Sequence, residues 1–254
     1  MSILIKRLIS TAFLGGVVII FVIMTAKCVS AEEPAKAVFV LFDISDSTKK
    51  ESIRQRYLED FKLVLKKINP GDAIAADKIV DQSITKSTIP VKEEFKKLSF
   101  FEGGPLKEKK LRLKQSEKKE EIVKTTEEII LKQNIKIAST DILSSLHIAE
   151  RVFKGFKRDK YILVIMSDMI EESKDYNFTR ENLTEKRISE IIAKEKKKHM
   201  LPDLTNVKVY VTGATAENRD RFFAIQNFWM RYFKECGASL SKENYGSSLL
   251  NFNE

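Results

Sequence analysis

Residues 37–47 read Ala-Val-Phe-Val-Leu-Phe-Asp-Ile-Ser-Asp-Ser. The apolar run up to Asp43 predicts a strand covered on both faces, as in a parallel sheet with helices on each side. Working outward, Ile53, Tyr57, Phe61, Val64, Leu65 and Ile68 fall at helical spacing, and Asn69-Pro70-Gly71 ends that helix. Residues 72–80 read as a second strand and 87–91 as a weaker one. Residues 140–156 have helical periodicity, 161–167 (YILVIMS) form another buried strand, and 183–200 a charged amphipathic helix. A strand over 207–213 and an aromatic-rich helix over Arg219–Glu235 complete the pattern. Strands alternating with helices predict an α/β fold: a Rossmann-like three-layer sandwich, with a mostly parallel central sheet and helices on both faces.

Composition agrees with that class. Of 254 residues, 43% are hydrophobic and 32% charged, enough for a real core under a heavily solvated surface. This excludes a polytopic membrane protein, a collagen-like chain and a mostly disordered one. Nine Gly and five Pro argue against a turn-rich all-β sandwich. Two Cys exclude a disulfide scaffold, and two His leave little material for histidine-based chemistry.

The first 31 residues are expected to be a signal peptide or an N-terminal membrane anchor. Lys6 and Arg7 precede an uncharged apolar run over 8–26, and Val29-Ser30-Ala31 offers small residues for cleavage before Glu32. The run is also near the length that spans a bilayer, so cleavage and anchoring both stand. Lys27 ahead of Cys28 does not fit a lipobox. Either way the remaining chain, 32–254, is expected as a single exported domain, periplasmic or extracellular. Without Lys6, Arg7 and Lys27 the net charge falls from +9 to +6, a mild excess rather than a nucleic-acid footprint. Cys236 is then the one remaining Cys, read as a small buried hydrophobe beside Phe233.

One segment breaks the alternation. Residues 106–121 are almost entirely charged, and apolar residues return at helical spacing over 122–131. This predicts a charged insertion around 104–135, an exposed helical excursion or a partly disordered one, serving either as a solvated surface or as a docking arm for a partner.

Sheets of this type place ligands at the carboxyl ends of their strands. Three chain segments bring oxygen groups there: Asp43-Ile44-Ser45-Asp46-Ser47, Ala138-Ser139-Thr140-Asp141 and Ser167-Asp168. Carboxylates and hydroxyls without His or Cys suit a hard cation such as Mg²⁺ and disfavour zinc. Asp46 and Asp141 read as helix-start caps or as groups behind the ligands.

Asp43-x-Ser45-x-Ser47 after a buried strand, Thr140 at a helix start and Asp168 after another buried strand together resemble the von Willebrand factor A (vWA) domain. The five residues resemble its metal-ion-dependent adhesion site (MIDAS), and the resemblance covers nearly all of the chain from Ala37 onward. It implies that Ser45, Ser47 and Thr140 bind Mg²⁺ or Mn²⁺ through their hydroxyls, with Asp43 and Asp168 acting through water or at longer range. It further implies a protein partner whose carboxylate completes the ion's shell, and no enzymatic activity. Met169 departs from the pattern, since many members have Gly after this Asp. Two other readings compete. A metal-independent scaffold of an envelope assembly keeps the fold alone. A haloacid-dehalogenase-like phosphatase needs an acid/base Asp two residues after Asp43, where Ser45 stands.

Among the other features, Phe222, Ile225, Trp229 and Tyr232 form one stripe that predicts core packing. His147 is expected to be packed, and His199 to be solvated or to cap a helix end.

Overall fold

The computed structural model describes residues 33–98, 103–131, 139–249 and 252. The signal or anchor segment, Cys28 included, lies outside the described residues, as do residues 132–135 of the charged insertion and Ala138. Among the described residues no helix is long and apolar enough to cross a membrane. From Ala35 onward the chain forms one compact unit.

In chain order the elements are β1 (Lys36–Asp43), α1 (Glu51–Lys66), β2 (Ala73–Ile79), the short α2 (Ser83–Lys86), β3 (Val91–Glu94) and α3 (Pro105–Leu131). There follow α4 (Ile142–Gly155), β4 (Lys160–Met166), α5 (Glu185–Lys197), β5 (Val207–Thr212) and α6 (Arg219–Glu235). The sheet order is β3-β2-β1-β4-β5. β1 pairs in parallel with β2 and β4, β4 pairs in parallel with β5, and β3 alone is antiparallel. The fold is therefore α/β with a mostly parallel five-stranded sheet.

Every residue of β1 is buried, which explains its unbroken apolar run. Alternate side chains face opposite layers. Ala37, Phe39 and Leu41 pack under α4, α5 and α6, while Val38, Val40 and Phe42 pack under α1 and α3. Phe39 meets Phe153 edge-on at 6.3 Å, and Phe42 meets Phe61 at 5.5 Å. Each such ring contributes about 2–3 kcal/mol of burial before ordering costs. At the other end of β1, Lys36 and Asp72 form a buried ion pair at 3.2 Å. Asp72 also accepts from the Lys36 and Asn69 backbone N–H groups, so the pair is hydrogen-bonded as well as neutralised.

Helix boundaries follow from local capping. Asp141 caps α4 through the Ser144 N–H at 3.2 Å, Thr184 caps α5 through Arg187, and Asn218 caps α6 through Arg221. The α4 helix thus starts at Ile142, not at Thr140. α5 closes with His199 at φ 56°, where His199 N–H donates to Lys196 O and Met200 N–H to Glu195 O. That is the paired-bond C-terminal stop, with His199 in the position glycine usually takes. His147 is half-buried, with Nε2 3.0 Å from Met200 O. In α6, Ile225, Phe228, Trp229, Tyr232 and Phe233 are buried, and Phe223 faces outward. Cys236 is buried and free, and burial, followed by the charges of Glu235 and Glu150, pushes its thiol up to about 12.

Two sequence expectations shift. The weak strand over 87–91 is displaced: β3 begins at Val91, after Ile89 at φ 44° and after Pro90, which has no N–H to give a ladder. The charged insertion is an ordered helix of 27 residues, but only Ile122, Thr126, Ile129 and Ile130 of it are buried. Its first turns stand out from the body, with Leu106 80% and Leu113 61% exposed.

Candidate functional site

After β1 the chain moves to β2 and β3 on one side, then returns to β4 and β5 on the other. The crevice at the carboxyl ends of β1 and β4 is therefore a topological switch point, the usual ligand position in an open α/β sheet. Asp43 ends β1 there, and Ser167 and Asp168 follow β4.

Asp43 is fully buried and organises the loop behind it. Its Oδ1 accepts the Ser45 N–H at 2.9 Å, and its backbone carbonyl accepts Thr48 Oγ1–H at 2.8 Å. Ser45 precedes the one-turn helix Asp46–Thr48 without capping it, so its hydroxyl is left for other work. That hydroxyl lies 3.0 Å from Ser47 Oγ. The Ser47 hydroxyl in turn faces the Asp168 carboxylate and favours its charged form. Across the strands, Ser167 Oγ donates to Asp43 Oδ2 at 2.7 Å, and Ile170 N–H donates to Asp168 Oδ1 at 2.9 Å.

Asp43, Ser45, Ser47 and Ser167 thus form one hydrogen-bonded group beside the Asp168 carboxylate, and Ser167 is the member outside the expected ligand set. Thr140 arrives by another route. It is buried and tied to Glu172 by two backbone hydrogen bonds of 2.9 Å, which set its loop beside the one that follows Asp168. Asp46 starts the short helical turn.

The electrostatics of the group are unbalanced. Burial raises the Asp43 pKa against hydrogen bonds from Ser45 and Ser167, with Arg54 the cation that opposes it. Asp168 is pushed up to about 7, first by burial and then by the charge of Asp43. A buried carboxylate whose charge raises the pKa of a second one beside it makes a site where added positive charge is stabilising. The oxygen spacing also suits a small hard ion: neighbouring corners of an octahedron with ligands about 2.1 Å from its centre lie about 3.0 Å apart. Among the described residues no three His, Cys, Asp or Glu side chains are grouped as metal ligands. The group offers two carboxylates, and its other oxygens are hydroxyls.

Two neighbours belong to the site's frame. Met169 adopts φ 65°, the left-handed region that glycine fills without strain, while its side chain is buried and its carbonyl accepts Trp229 Nε1–H at 2.8 Å. Glu171 went unread. Its buried carboxylate accepts the Ile142 and Leu143 N–H groups at 2.8 and 3.1 Å, and burial pushes it up to about 8. Its partners lie 29 and 28 residues away in sequence, so no local spacing announces it.

No family model matches the chain. No curated protein matches it either. Solved structures do. The D319A mutant of the PilB minor pilin from Streptococcus sanguinis aligns with a TM-score of 0.51 at 11% identity, over 86% of this chain and 58% of that one. The likeness is one of fold. A von Willebrand factor type A structure from Catenulispora acidiphila matches at TM-score 0.40 and 11% identity, over 80% and 43% of the two chains. Proximal thread matrix protein 1 from the mussel byssus, with a zinc-occupied MIDAS motif, matches at 0.42 and 14%, over 86% and 43%. The chain spans between 43% and 58% of the length of these structures.

Proposed function

We propose that this chain is a non-enzymatic protein-binding module of the cell envelope that uses a divalent cation, Mg²⁺ or Mn²⁺, to engage an acidic group of a partner protein. The observation that carries the reading is the hydrogen-bonded group of Asp43, Ser45 and Ser47 beside Asp168 at the switch point, with its pair of buried carboxylates. Ser45, Ser47 and Thr140 would hold the ion through hydroxyl oxygens, and Asp43 and Asp168 through water or at longer range. When bound, the ion supplies an electrophilic position for a partner carboxylate. The chain's own residues orient and neutralise. Ser167 fixes Asp43, Ile170 N–H fixes Asp168, and Ser45 N–H holds the loop that carries both serines. Position 45, two residues beyond Asp43, is a serine, so the group lacks the acid that phosphatase chemistry of this type requires. Export follows from residues 1–31 as a signal peptide or anchor, with 32–254 as one vWA-like domain; a pilin among the structural matches is in keeping with an envelope setting.

A metal-independent scaffold is the second reading. It is favoured by the internal bonds of the group, which already join Ser45 to Ser47 and Ser167 to Asp43. Melting curves in EDTA and in Mg²⁺ or Mn²⁺ separate the two. On the metal reading, saturation at about a hundred times Kd stabilises the fold by about 2.7 kcal/mol. Asp43→Asn, which keeps an acceptor for the Ser45 N–H, should abolish that gain. Identical melting with and without metal would leave the scaffold reading standing. Capture of partner proteins with and without chelator, with Thr140→Ala as control, then tests the carboxylate bridge.

A further inference from the structure

A cavity of about 260 Å³ opens beside the start of α4, separate from the candidate metal group. Asp81, Asp141, Asp175 and Glu195 line it with the exposed Lys174; Asp81 is paired with Lys86 at 2.8 Å and Asp175 with Lys194 at 4.0 Å, which leaves Glu195 as the buried carboxylate without a cation. Two lining groups have polar capacity left over. Glu195 is only 7% exposed and takes a hydrogen bond from the Tyr176 hydroxyl at 2.5 Å, yet no lysine or arginine is paired with it among the described residues. Tyr232 is fully buried, and its hydroxyl has no hydrogen-bond partner among the described residues. Glu195 and Tyr232 line the same cavity. A buried carboxylate without a cation and a buried hydroxyl without a partner are both costly, and one ligand could relieve both.

The chemistry of that ligand can be narrowed. An anion is disfavoured by the carboxylates, and the N–H groups at the start of α4 are already taken by Asp141 and Glu171. The volume fits a side chain rather than a cofactor. A guanidinium is a flat cation with several donors and weak hydration, suited to enter a part-enclosed acidic space and serve two separate acceptors.

We propose that this cavity binds the guanidinium of an arginine side chain presented by a protein partner, with Glu195 as counter-charge and the Tyr232 hydroxyl as a second acceptor. The site works without the metal, since none of its groups belongs to the five proposed ligands.

The test is calorimetric or NMR titration of the full chain with N-acetyl-L-arginine methylamide and with its neutral citrulline analogue, in EDTA and in Mg²⁺. The arginine compound should bind alike in both buffers, and the citrulline compound about tenfold more weakly or worse. Glu195→Gln keeps the acceptor for Tyr176 and should weaken arginine binding about tenfold. Tyr232→Phe removes only the unpartnered hydroxyl and should weaken it severalfold while the melting temperature holds or rises. Equal binding of the two compounds, binding of neither, or full arginine binding by Glu195→Gln would overturn the proposal. So would full binding by Tyr232→Phe, which would leave the hydroxyl to a buried water. Loss of arginine binding in EDTA would move the compound to the metal group and overturn it as well.

Discussion

Glu171→Gln is expected to make the protein more stable at pH 8 and to leave it nearly unchanged at pH 5. The Glu171 carboxyl is fully buried at the start of α4 and titrates near 8 in the folded protein, against an ordinary 4.5. Below pH 4.5 both folded and unfolded chains hold the proton, and no penalty arises. Between 4.5 and 8 the folded chain keeps a proton that the unfolded chain has lost, so stability falls as pH rises. Above 8 the penalty is complete. A displacement of about 3.5 pH units corresponds to about 5 kcal/mol at most. Gln keeps an acceptor for the Ile142 and Leu143 N–H groups and carries no charge, so it mimics the protonated acid at every pH. A gain of only 2–3 kcal/mol at pH 8 would raise the melting temperature by roughly 4–12 °C in a domain of this size. Melting of both proteins in EDTA at matched ionic strength from pH 5 to 8.5 gives the difference directly, and other titrating groups cancel between them. The opposing influence is the helix start itself, whose two N–H donors favour a charged carboxylate. If Glu171→Gln is destabilised equally at pH 5 and pH 8, the carboxylate is ionised in the fold and acts as a charged cap. The reasoning from burial would then be wrong.

Metal binding should release a proton near neutral pH, because Asp168 is displaced to about 7. Mg²⁺ affinity should therefore weaken toward acid by up to about tenfold per pH unit below 7, and calorimetry in two buffers of different ionisation enthalpy should detect the proton. Affinity that is flat from pH 6 to 8 would remove Asp168 from the site. Gly213→Ala should cost about 1–3 kcal/mol, since Gly213 has φ 94° and a Cβ there would lie 2.6 Å from the Tyr57 hydroxyl. Adding Tyr57→Phe should recover part of that loss in urea melts, because the hydroxyl has no hydrogen-bond partner among the described residues. Asp141→Ala should cost about 1 kcal/mol through the lost α4 cap, with the Glu171 bonds holding the rest of the helix start.

What could be read from the sequence depended on how local each cause was. β1 and β4 stand out because central strands must be apolar on both faces. β3 was misplaced because an edge strand with alternating burial, Val-Lys-Glu-Glu, carries little apolar signal, and Pro90 marks its start rather than its interior. The serines of the DxSxS loop and Asp168 are visible because each lies within a few residues of a strand end. The Ser167 bond to Asp43 spans 124 residues, and the Glu171 cap joins two segments that meet only after the sheet has formed. The unmet groups of the acidic cavity are invisible for the same reason: Glu195 lies on α5 and Tyr232 on α6.

The place of β1 in the sheet also determines how the domain would bear mechanical load. The chain N-terminal to Lys36 leads directly into this strand, which is held along its length by seven residue pairs to β2 and seven to β4, both parallel. A pull directed along the strand axis would have to shear both ladders at once instead of peeling one hydrogen bond at a time. The candidate binding group sits at the far end of the same strand. Tension entering at Lys36 would have to overcome the combined grip of both ladders before it could draw Asp43 out of register with Ser167.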